Sequence, residues 1–274
     1  MQNLSLGSPG FPSLLSQIHN PPHTLWVRGD SAVLDRPAVA IVGSRAASSD
    51  GLAIAGDIAA DLARAGIVVV SGMARGIDSA AHAGALDANG VTVAVMGTGV
   101  DRVYPPEHRD LASRIATCGA LISELPPGTP PRAFHFPLRN RIISGLSRAV
   151  VVIEAPEASG ALITAREALD QGREVMVVPG RVVGGRNRGG HALLKDGAKL
   201  VEAAVDILQE LGMAVLRRPA PLPQHLEFSV DDVAREMKLA PGEALARLLE
   251  WELTGEIRRI GSGRFVRTKD RVLT

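Results

Sequence analysis

At 274 residues, the chain is long enough to bury the core of one α/β domain and to carry a small second domain. Its 46% hydrophobic and 22% charged residues are typical of a globular protein, and its apolar runs are too short to span a bilayer. A net charge of +1 excludes a uniformly basic surface, so any nucleic-acid binding has to come from local clusters of basic residues.

Residues 1–36 are predicted to form a lead-in segment that packs on the domain after it. From 37 to 215, short β-branched runs alternate with alanine- and leucine-rich stretches, which predicts an α/β fold: an extended Rossmann-like parallel sheet with helices on both faces. The predicted strands are Ala38–Val42, Ile67–Val70, Thr92–Met96, Leu121–Ser123, Ala149–Ile153, Glu174–Val178 and Lys199–Val201. The helices predicted between them include Leu52–Arg64, Ile77–Ala88 and Leu162–Gln171.

A small second domain is predicted after a linker. Residues 216–224 read LRRPAPLPQ, and we expect a linker there because the prolines cannot continue a helix. In residues 225–274, Ser229 can cap a first helix, a second helix runs to Leu253, and a hairpin turns around Gly261, Ser262 and Gly263. This order of elements predicts a winged-helix domain.

Glycine-containing turns follow the predicted strands and carry the candidate site. The carboxyl ends of parallel strands share one edge of a sheet, which is where such sheets bind ligands. The GSR turn at 43–45 combines backbone N–H groups with an arginine fork that matches two phosphate oxygens. The SGMARG turn at 71–76 adds a second arginine, and Asp78 can accept hydrogen bonds from the helix that follows. The alternative for both is a structural turn with an exposed arginine.

The segment 136–147 reads FPLRNRIISGLS and combines a helical pattern with charge. Ile142, Ile143 and Leu146 have the spacing of one buried helix face. Arg139 and Arg141 would then lie near the first helical turn, where the helix dipole disfavours cations. They are either surplus surface charge or groups that face an anion, and we favour the anion.

Patterns for other chemistries are absent from the sequence. It contains no GxGxxG and no GxxxxGK[ST], which argues against a nicotinamide enzyme and a P-loop ATPase. His108, His135 and His191 are scattered, and the sequence has no CxxC or GxSxG, so we expect no catalytic residue, no metal and no cofactor. The single cysteine, Cys118, excludes an internal disulfide and favours a reducing cytoplasm, and nothing predicts an export signal or a membrane partner.

Six motifs in the same order resemble those of the DNA-processing protein A family, DprA or Smf, over roughly residues 11–210. They are VGSR at 42–45, SGMARGID at 71–78, GTGVDRVYPPEH at 97–108, SELPPGTPP at 123–131, FPLRNRIISGLS at 136–147 and SGALITAREAL at 159–169. The resemblance implies a cytoplasmic protein that binds and protects single-stranded DNA and loads RecA recombinase during natural transformation. It also implies a homodimer through the Rossmann-like domain, with single-strand-binding protein as a further candidate partner.

The predicted DNA-binding residues lie in the turns and helix starts described above. They are Gly43, Ser44, Arg45, Ser71, Gly72, Met73, Ala74, Arg75, Gly76, Phe136, Arg139, Asn140, Arg141, Ser159, Gly160 and Thr164. Secondary candidates for a contact with DNA or a partner are Arg258, Arg259, Arg264 and Arg267. Four arginines at the sheet edge predict a log–log salt slope of roughly −3 on single strands.

Two features depart from the family's pattern. Many members carry a small helical domain ahead of the lead-in segment, which this chain is expected to lack. The presumed recognition helix, GEALARLLEWEL, holds three glutamates against one arginine, which fits the major groove poorly. A role in partner binding is therefore at least as plausible for the second domain as a role in DNA binding.

Two other functions stay open at this point. A nucleotide phosphoribohydrolase would also suit a Rossmann-like sheet, with Glu154 or Glu124 as the acid, although such enzymes use a PGGxGT turn where this chain has SGALIT. A transcription factor would bind duplex DNA through residues 224–274, which the acidic helix argues against.

Overall fold

The computed structural model describes residues 1–213, 225, 227–237, 239–253, 256–261 and 263–268. The chain divides into two compact units, Met1–Val215 and Leu216–Thr274, and each is described by itself. The linker predicted at 216–224 lies outside the described residues. No helix in the described part of the chain is long and apolar enough to cross a bilayer.

The first unit is built on a nine-stranded sheet with the order β1-β2-β6-β5-β4-β3-β7-β8-β9. The strands are β1 Gln2–Ser5, β2 Thr24–Gly29, β3 Ala38–Gly43, β4 Val68–Ser71, β5 Thr92–Val95, β6 Ala120–Ser123, β7 Ala149–Ile153, β8 Glu174–Val177 and β9 Lys199–Leu200. All neighbours from β6 to β9 pair in parallel, whereas β1 and β2 add an antiparallel edge. The predicted α/β class and its parallel sheet are confirmed.

Helices cover both faces of this sheet. They are α1 Ser13–Ser16, α2 Ser49–Arg64, α3 Ile77–Asp87, α4 Arg109–Cys118, α5 His135–Gly145, α6 Gly160–Asp170, α7 Arg188–Lys195 and α8 Ala204–Glu210. Alternate residues of β3 point to opposite faces, so Ala40 packs with the core under α5 and α6, while Ile41 packs with the core under α2 and α3. Strands β3 to β8 are buried almost throughout, on both faces of the sheet, which explains why their sequences are largely apolar.

Residues 1–36 are part of the sheet as well as part of its cover. Strand β2 pairs with β6, and β1 pairs with β2. Helix α1 buries Leu15 completely, and the side chain lies so close to Gly145 of α5 that an added methyl group there would come within 2.7 Å of it. The sequence pattern does not predict β1 or β2, because β1 is almost fully exposed and β2 is buried only at every second residue.

The second unit contains a three-stranded antiparallel sheet with the order β10-β12-β11. Its elements are β10 Glu227–Ser229, α9 Val230–Met237, α10 Pro241–Leu253, β11 Ile257–Gly261 and β12 Arg264–Arg267. The hydroxyl of Ser229 accepts a hydrogen bond from the Asp232 amide at 3.3 Å, which is the predicted helix cap. Phe228, Trp251 and Phe265 form the centre of a separate small core.

Candidate functional site

A cavity of about 440 Å³, here called the first cavity, opens at the carboxyl end of β3. Strand β3 lies between β4 and β7, so the strand order reverses at this point, and open α/β sheets bind their ligands at such crevices. Ten of the sixteen predicted DNA-binding residues line it: Gly43, Ser44, Arg45, Ala74, Phe136, Arg139, Asn140, Ser159, Gly160 and Thr164. Residues from four distant sequence motifs are therefore brought together.

The turn after β3 places one exposed arginine at the mouth of the first cavity. Gly43 is required there, since a methyl group would overlap the Ile153 carbonyl oxygen. The guanidinium of Arg45 lies 5.7 Å from the centre of the Phe136 ring, within the range of a cation–π contact. The Ser44 amide, which we expected to face an anion, instead donates to the Glu154 carbonyl oxygen at 3.0 Å.

The loop after β4 is held in place by hydrogen bonds to Asp78 of α3. The amides of Gly72 and Ala74 donate to Asp78 Oδ2 at 3.1 and 3.2 Å. The carboxylate therefore binds the loop, whereas the sequence predicted that it would bind amides of the first turn of α3. Met73 is fully buried and has a φ of 60°. Within residues 71–76, Ala74 alone lines the first cavity, and the Gly72 and Ala74 amides are used to bind Asp78.

Arg75 and Arg141 lie outside the first cavity, each beside a glutamate. Arg75 Nε pairs with Glu107 on the outer side of its loop. Arg141 Nη2 pairs with Glu124 at 2.6 Å, and its side chain is largely buried. These acids are far from the arginines in sequence, so the motif alone cannot reveal the pairing. Of the four arginines that the sequence predicts at the sheet edge, Arg45 and Arg139 line the first cavity.

Arg139 carries its charge into the interior of the protein, since it is 7% exposed. Its Nη1 donates to the Val95 carbonyl oxygen at 2.7 Å, and a methyl group at Gly72 would overlap the guanidinium. No described residue accepts a hydrogen bond from the buried Nε. An unpaired buried donor is costly, and a ligand that accepts this hydrogen bond would remove the cost.

The pKa values of Arg139 and Asp78 are shifted mainly by their burial. Burial lowers the pKa of Arg139 to about 10, Asp78 opposes that fall, and the nearby Arg45 adds to it. Burial also raises the pKa of Asp78, against the opposing effects of Arg139 and the Ala74 and Gly72 amides. Arg139 therefore remains charged at neutral pH, and Asp78 lies beside it. Arg45 is the second cation, and the repulsion between the two arginines favours an anion at this site.

Helix α5 begins earlier than the sequence predicts. It starts at His135, with Pro137 in its first turn, where the missing N–H of proline leaves no hydrogen bond broken. Arg139 and Arg141 consequently lie beyond the first turn. Their unfavourable placement relative to the helix dipole, which we used to infer an anion, is therefore weaker than expected, and the argument for an anion rests on the burial of Arg139 instead.

Helix α6 supplies the opposite wall of the first cavity. The hydroxyl of Ser159 accepts a hydrogen bond from the Ala161 amide at 3.2 Å and caps this helix. Asn140 Nδ2 donates to the Gly160 carbonyl oxygen at 3.3 Å and ties α5 to this helix start, while Thr164 is buried behind it. The positive end of the α6 dipole thus faces the cavity that Arg45 and Arg139 line.

Sequence reasoning missed several lining residues, because most of them are small or apolar and carry no chemical signature. They are Val42, Ala46, Asp78, Pro137, Ile143, Pro156, Ala158, Ala161 and Ile163. The two glutamates considered for an enzyme do not line the first cavity: Glu154 binds Ser48, and Glu124 binds Arg141. Among the described residues, no group of three or more His, Cys, Asp or Glu side chains is placed to hold a metal ion.

The four arginines of the second unit lie on its hairpin. Arg258 and Arg264 are exposed. Arg259 contacts Glu252 at 3.5 Å and lies 5.1 Å from the centre of the Phe265 ring. Arg267 is half-buried. The hairpin therefore has a basic surface, whereas α10 carries acidic residues.

Known proteins share both the sequence and the fold of the first unit. The family model for DNA recombination-mediator protein A matches residues 2–212. The DNA processing protein DprA of Streptococcus pneumoniae is 44% identical over 73% of this chain and 71% of its own length. Protein Smf of Escherichia coli is 40% identical over 92% of this chain and 74% of its own length.

Two solved structures have the same fold. DNA processing protein A from Streptococcus pneumoniae superposes with a TM-score of 0.74 and 42% identity, over 76% of this chain and 74% of that protein. DNA processing protein A from Helicobacter pylori, for which a single-stranded DNA binding mode is described, superposes with a TM-score of 0.69 and 29% identity, over 77% of this chain and 95% of that protein.

Proposed function

The chain belongs to the DNA recombination-mediator protein A family, and from that premise we propose that it binds and protects single-stranded DNA and loads RecA recombinase onto it. The proposed setting is recombination and natural transformation in the cytoplasm. The single-stranded DNA binding described for the Helicobacter pylori relative supports the choice of ligand.

The observation that carries the proposal is the convergence of Arg45 and Arg139 on one cavity. One guanidinium is exposed at the mouth, and the other is buried with an unpaired Nε–H. Phosphate oxygens accept hydrogen bonds from arginine in a bidentate geometry. A phosphodiester also carries a negative charge, which would offset the positive charges of Arg45 and Arg139. The start of α6 adds a favourable dipole on the opposite wall.

We propose that the protein acts on DNA without catalysis. A hydrolase would need an acid or a nucleophile that is free to face the ligand. The acid that lines the first cavity is Asp78, and its Oδ2 is already occupied by the Gly72 and Ala74 amides. This arrangement suits a carboxylate that orders a loop and compensates Arg139.

The proposal extends to the organisation of the whole protein. It assigns residues 37–215 to a Rossmann-like DNA-binding domain and residues 225–274 to a winged helix, supported by the order β10, α9, α10, β11 and β12. It includes a homodimer formed through the Rossmann-like domain, with RecA and single-strand-binding protein as partners. The acidic α10 favours a partner protein over duplex DNA as the ligand of the winged helix.

The phosphate contact can be tested with Arg45→Ala, because that side chain is exposed and its loss leaves no buried charge unpaired. Fluorescence anisotropy with a dT oligonucleotide of about six nucleotides measures a single cavity. Two phosphate contacts predict a log–log salt slope of about −1.4, which is a loss in affinity of about sevenfold between 50 and 200 mM salt. The slope should fall to about −0.7 in Arg45→Ala, and affinity at low salt should fall about tenfold.

Arg148→Ala is the matched control, since Arg148 is an exposed arginine just before β7, at the opposite edge of the sheet. It should bind like the unmodified protein. If Arg45→Ala kept both the affinity and the salt slope, the proposed phosphate site would be refuted.

A further inference from the structure

A second cavity, of about 750 Å³, opens at the same edge of the sheet. Its walls are the start of α2, the residues after β7, and the β8–α7 loop, defined here as Pro179–Asn187. The turn from Ser44 to Ser48 separates it from the first cavity, because the early residues of that turn line the first cavity and Ser48 lines the second. None of the predicted DNA-binding residues lines the second cavity.

The β8–α7 loop has exposed apolar side chains at its tip and is held in place near its C-terminal end. Val182 and Val183 are 80% and 81% exposed, and Gly184 and Gly185 follow them with positive φ angles. Near the C-terminal end of the loop, Arg186 Nη1 donates to the Ala46 carbonyl oxygen at 2.7 Å and pairs with Glu154 at 3.2 Å. Two adjacent exposed valines on a fixed loop form an apolar surface that a ligand can cover.

Two further side-chain contacts hold the β8–α7 loop in place. Asn187 Nδ2 donates to the Arg181 carbonyl oxygen at 3.3 Å, and His191 Nε2 lies 3.1 Å from the Gly180 carbonyl oxygen. The guanidinium groups of Arg181 and Arg188 are exposed and form no ion pair with a residue that the structure describes. The loop thus presents apolar and cationic groups together, a combination suited to the bases and backbone of a nucleic-acid strand.

The interior of the second cavity differs from that of the first. Ile54, Ile153, Val178 and Val183 give it apolar walls, and Asp50 adds an exposed carboxylate. The carboxylate of Glu154 is buried and already accepts from Ser48 and Arg186. Apolar walls beside a carboxylate disfavour a phosphate, but they suit a flat base whose amino group can donate a hydrogen bond to Asp50.

We infer that the second cavity holds a nucleobase of the same strand whose phosphate lies in the first cavity, and that it favours bases with an amino group over thymine. This inference rests on the proposed function. A strand that crosses the Ser44–Ser48 turn reaches both cavities, since Ala46 lines the first cavity while its carbonyl oxygen holds Arg186 of the second. Val183 packs against the base, and Asp50 accepts from its amino group.

Anisotropy measurements with the full chain and decamers of dC and dT test the inference, because these bases are both pyrimidines and cytosine alone carries an amino group. The unmodified protein should bind the dC decamer about fivefold more tightly, the net contribution of one typical hydrogen bond, because Asp50 is exposed to solvent. Asp50→Asn should reduce that preference to less than twofold. Asp110→Asn should retain it, since Asp110 is likewise an acid in the first turn of a helix, α4, but lies away from both cavities.

The double variant Val182→Ser, Val183→Ser tests the apolar tip. Its affinity for both decamers should fall about fivefold or more, because the serines no longer bury an apolar surface against the nucleobase. Leu249→Ser, which removes an exposed leucine of α10, should bind normally. Equal binding of dC and dT by the unmodified protein, or full affinity in the double valine variant, overturns the inference. If Arg45→Ala still weakens binding in that case, the proposed function stands without a second site.

Discussion

At the scale of single residues, the burial of Arg139 sets the first cavity apart from an ordinary basic surface. A surface arginine can be removed at little cost to stability, whereas Arg139 lies beside Asp78 in the interior and contacts Val95. The residue therefore supplies charge to the site and also holds together the loop and the helix that build it.

This double role predicts the outcome of a double-mutant cycle. Arg139→Ala removes the cation that offsets the burial of the Asp78 carboxylate, together with the hydrogen bond to Val95, and should lower the free energy of unfolding by about 3–5 kcal/mol. Adding Asp78→Asn should recover part of that loss, because the neutral amide no longer needs a cation. Hydrogen exchange of the buried amides of β3 and β7 measures the stability of the first unit. A double variant that is no more stable than Arg139→Ala would contradict the coupling.

Much of the first cavity could be predicted at the scale of residues, and its limits have a physical reason. Arg45, Phe136 and Arg139 stand in motifs whose turns and apolar spacing indicate their position at the sheet edge. The ion pairs of Arg75 with Glu107 and of Arg141 with Glu124 depend on tertiary packing between distant segments, which local patterns do not encode. The second cavity escaped prediction because glycine, valine and arginine in a loop are also typical of solvent-exposed chain.

At the scale of elements, the parallel strands β3 to β8 were predictable because burial on both faces makes them apolar almost throughout. The first two strands escaped because β2 is buried only at every second residue and β1 is almost fully exposed. Helix α5 extends beyond its predicted start, since a proline is tolerated within a first turn. In each case the misread element lies at a sheet edge or a helix end, where sequence patterns are weakest.

The N-terminal helix α1 should contribute to stability out of proportion to its length. Leu15 is completely buried against α5, which carries Arg139. Leu15→Ala should lower the free energy of unfolding of the first unit by about 2–5 kcal/mol through the lost burial and the cavity it leaves. Leu14→Ala is the matched control, since Leu14 is only half-buried and its loss should cost less. Equal effects in hydrogen exchange would contradict a bracing role for α1.

At the scale of the whole molecule, DNA binding and partner binding are proposed for different units. Every residue that lines the first cavity lies between Val42 and Thr164, inside the first compact unit. The fold shared with the two solved relatives likewise covers about three quarters of this chain. DNA binding is accordingly proposed for the first unit, and partner contact for the second.

A fragment of residues 1–213 should therefore bind a short dT oligonucleotide with an affinity within about twofold of the full chain and with the same salt slope of about −1.4. It should also remain a dimer in size-exclusion chromatography with light scattering, because the proposed dimer forms through the Rossmann-like domain. A folded fragment that fails to bind would show that the second unit contributes to the site.

The pairing of β3 with β7 also determines when the first cavity can exist during synthesis. Val39 on β3 pairs with Ala149 on β7, about 110 residues later in the chain. At about 5–20 residues per second, the ribosome takes roughly 5–20 s to supply the second strand after the first. During that interval the nascent chain holds Arg45 and its turn without the wall from α6, so the site is completed late, when most of the domain has already been made.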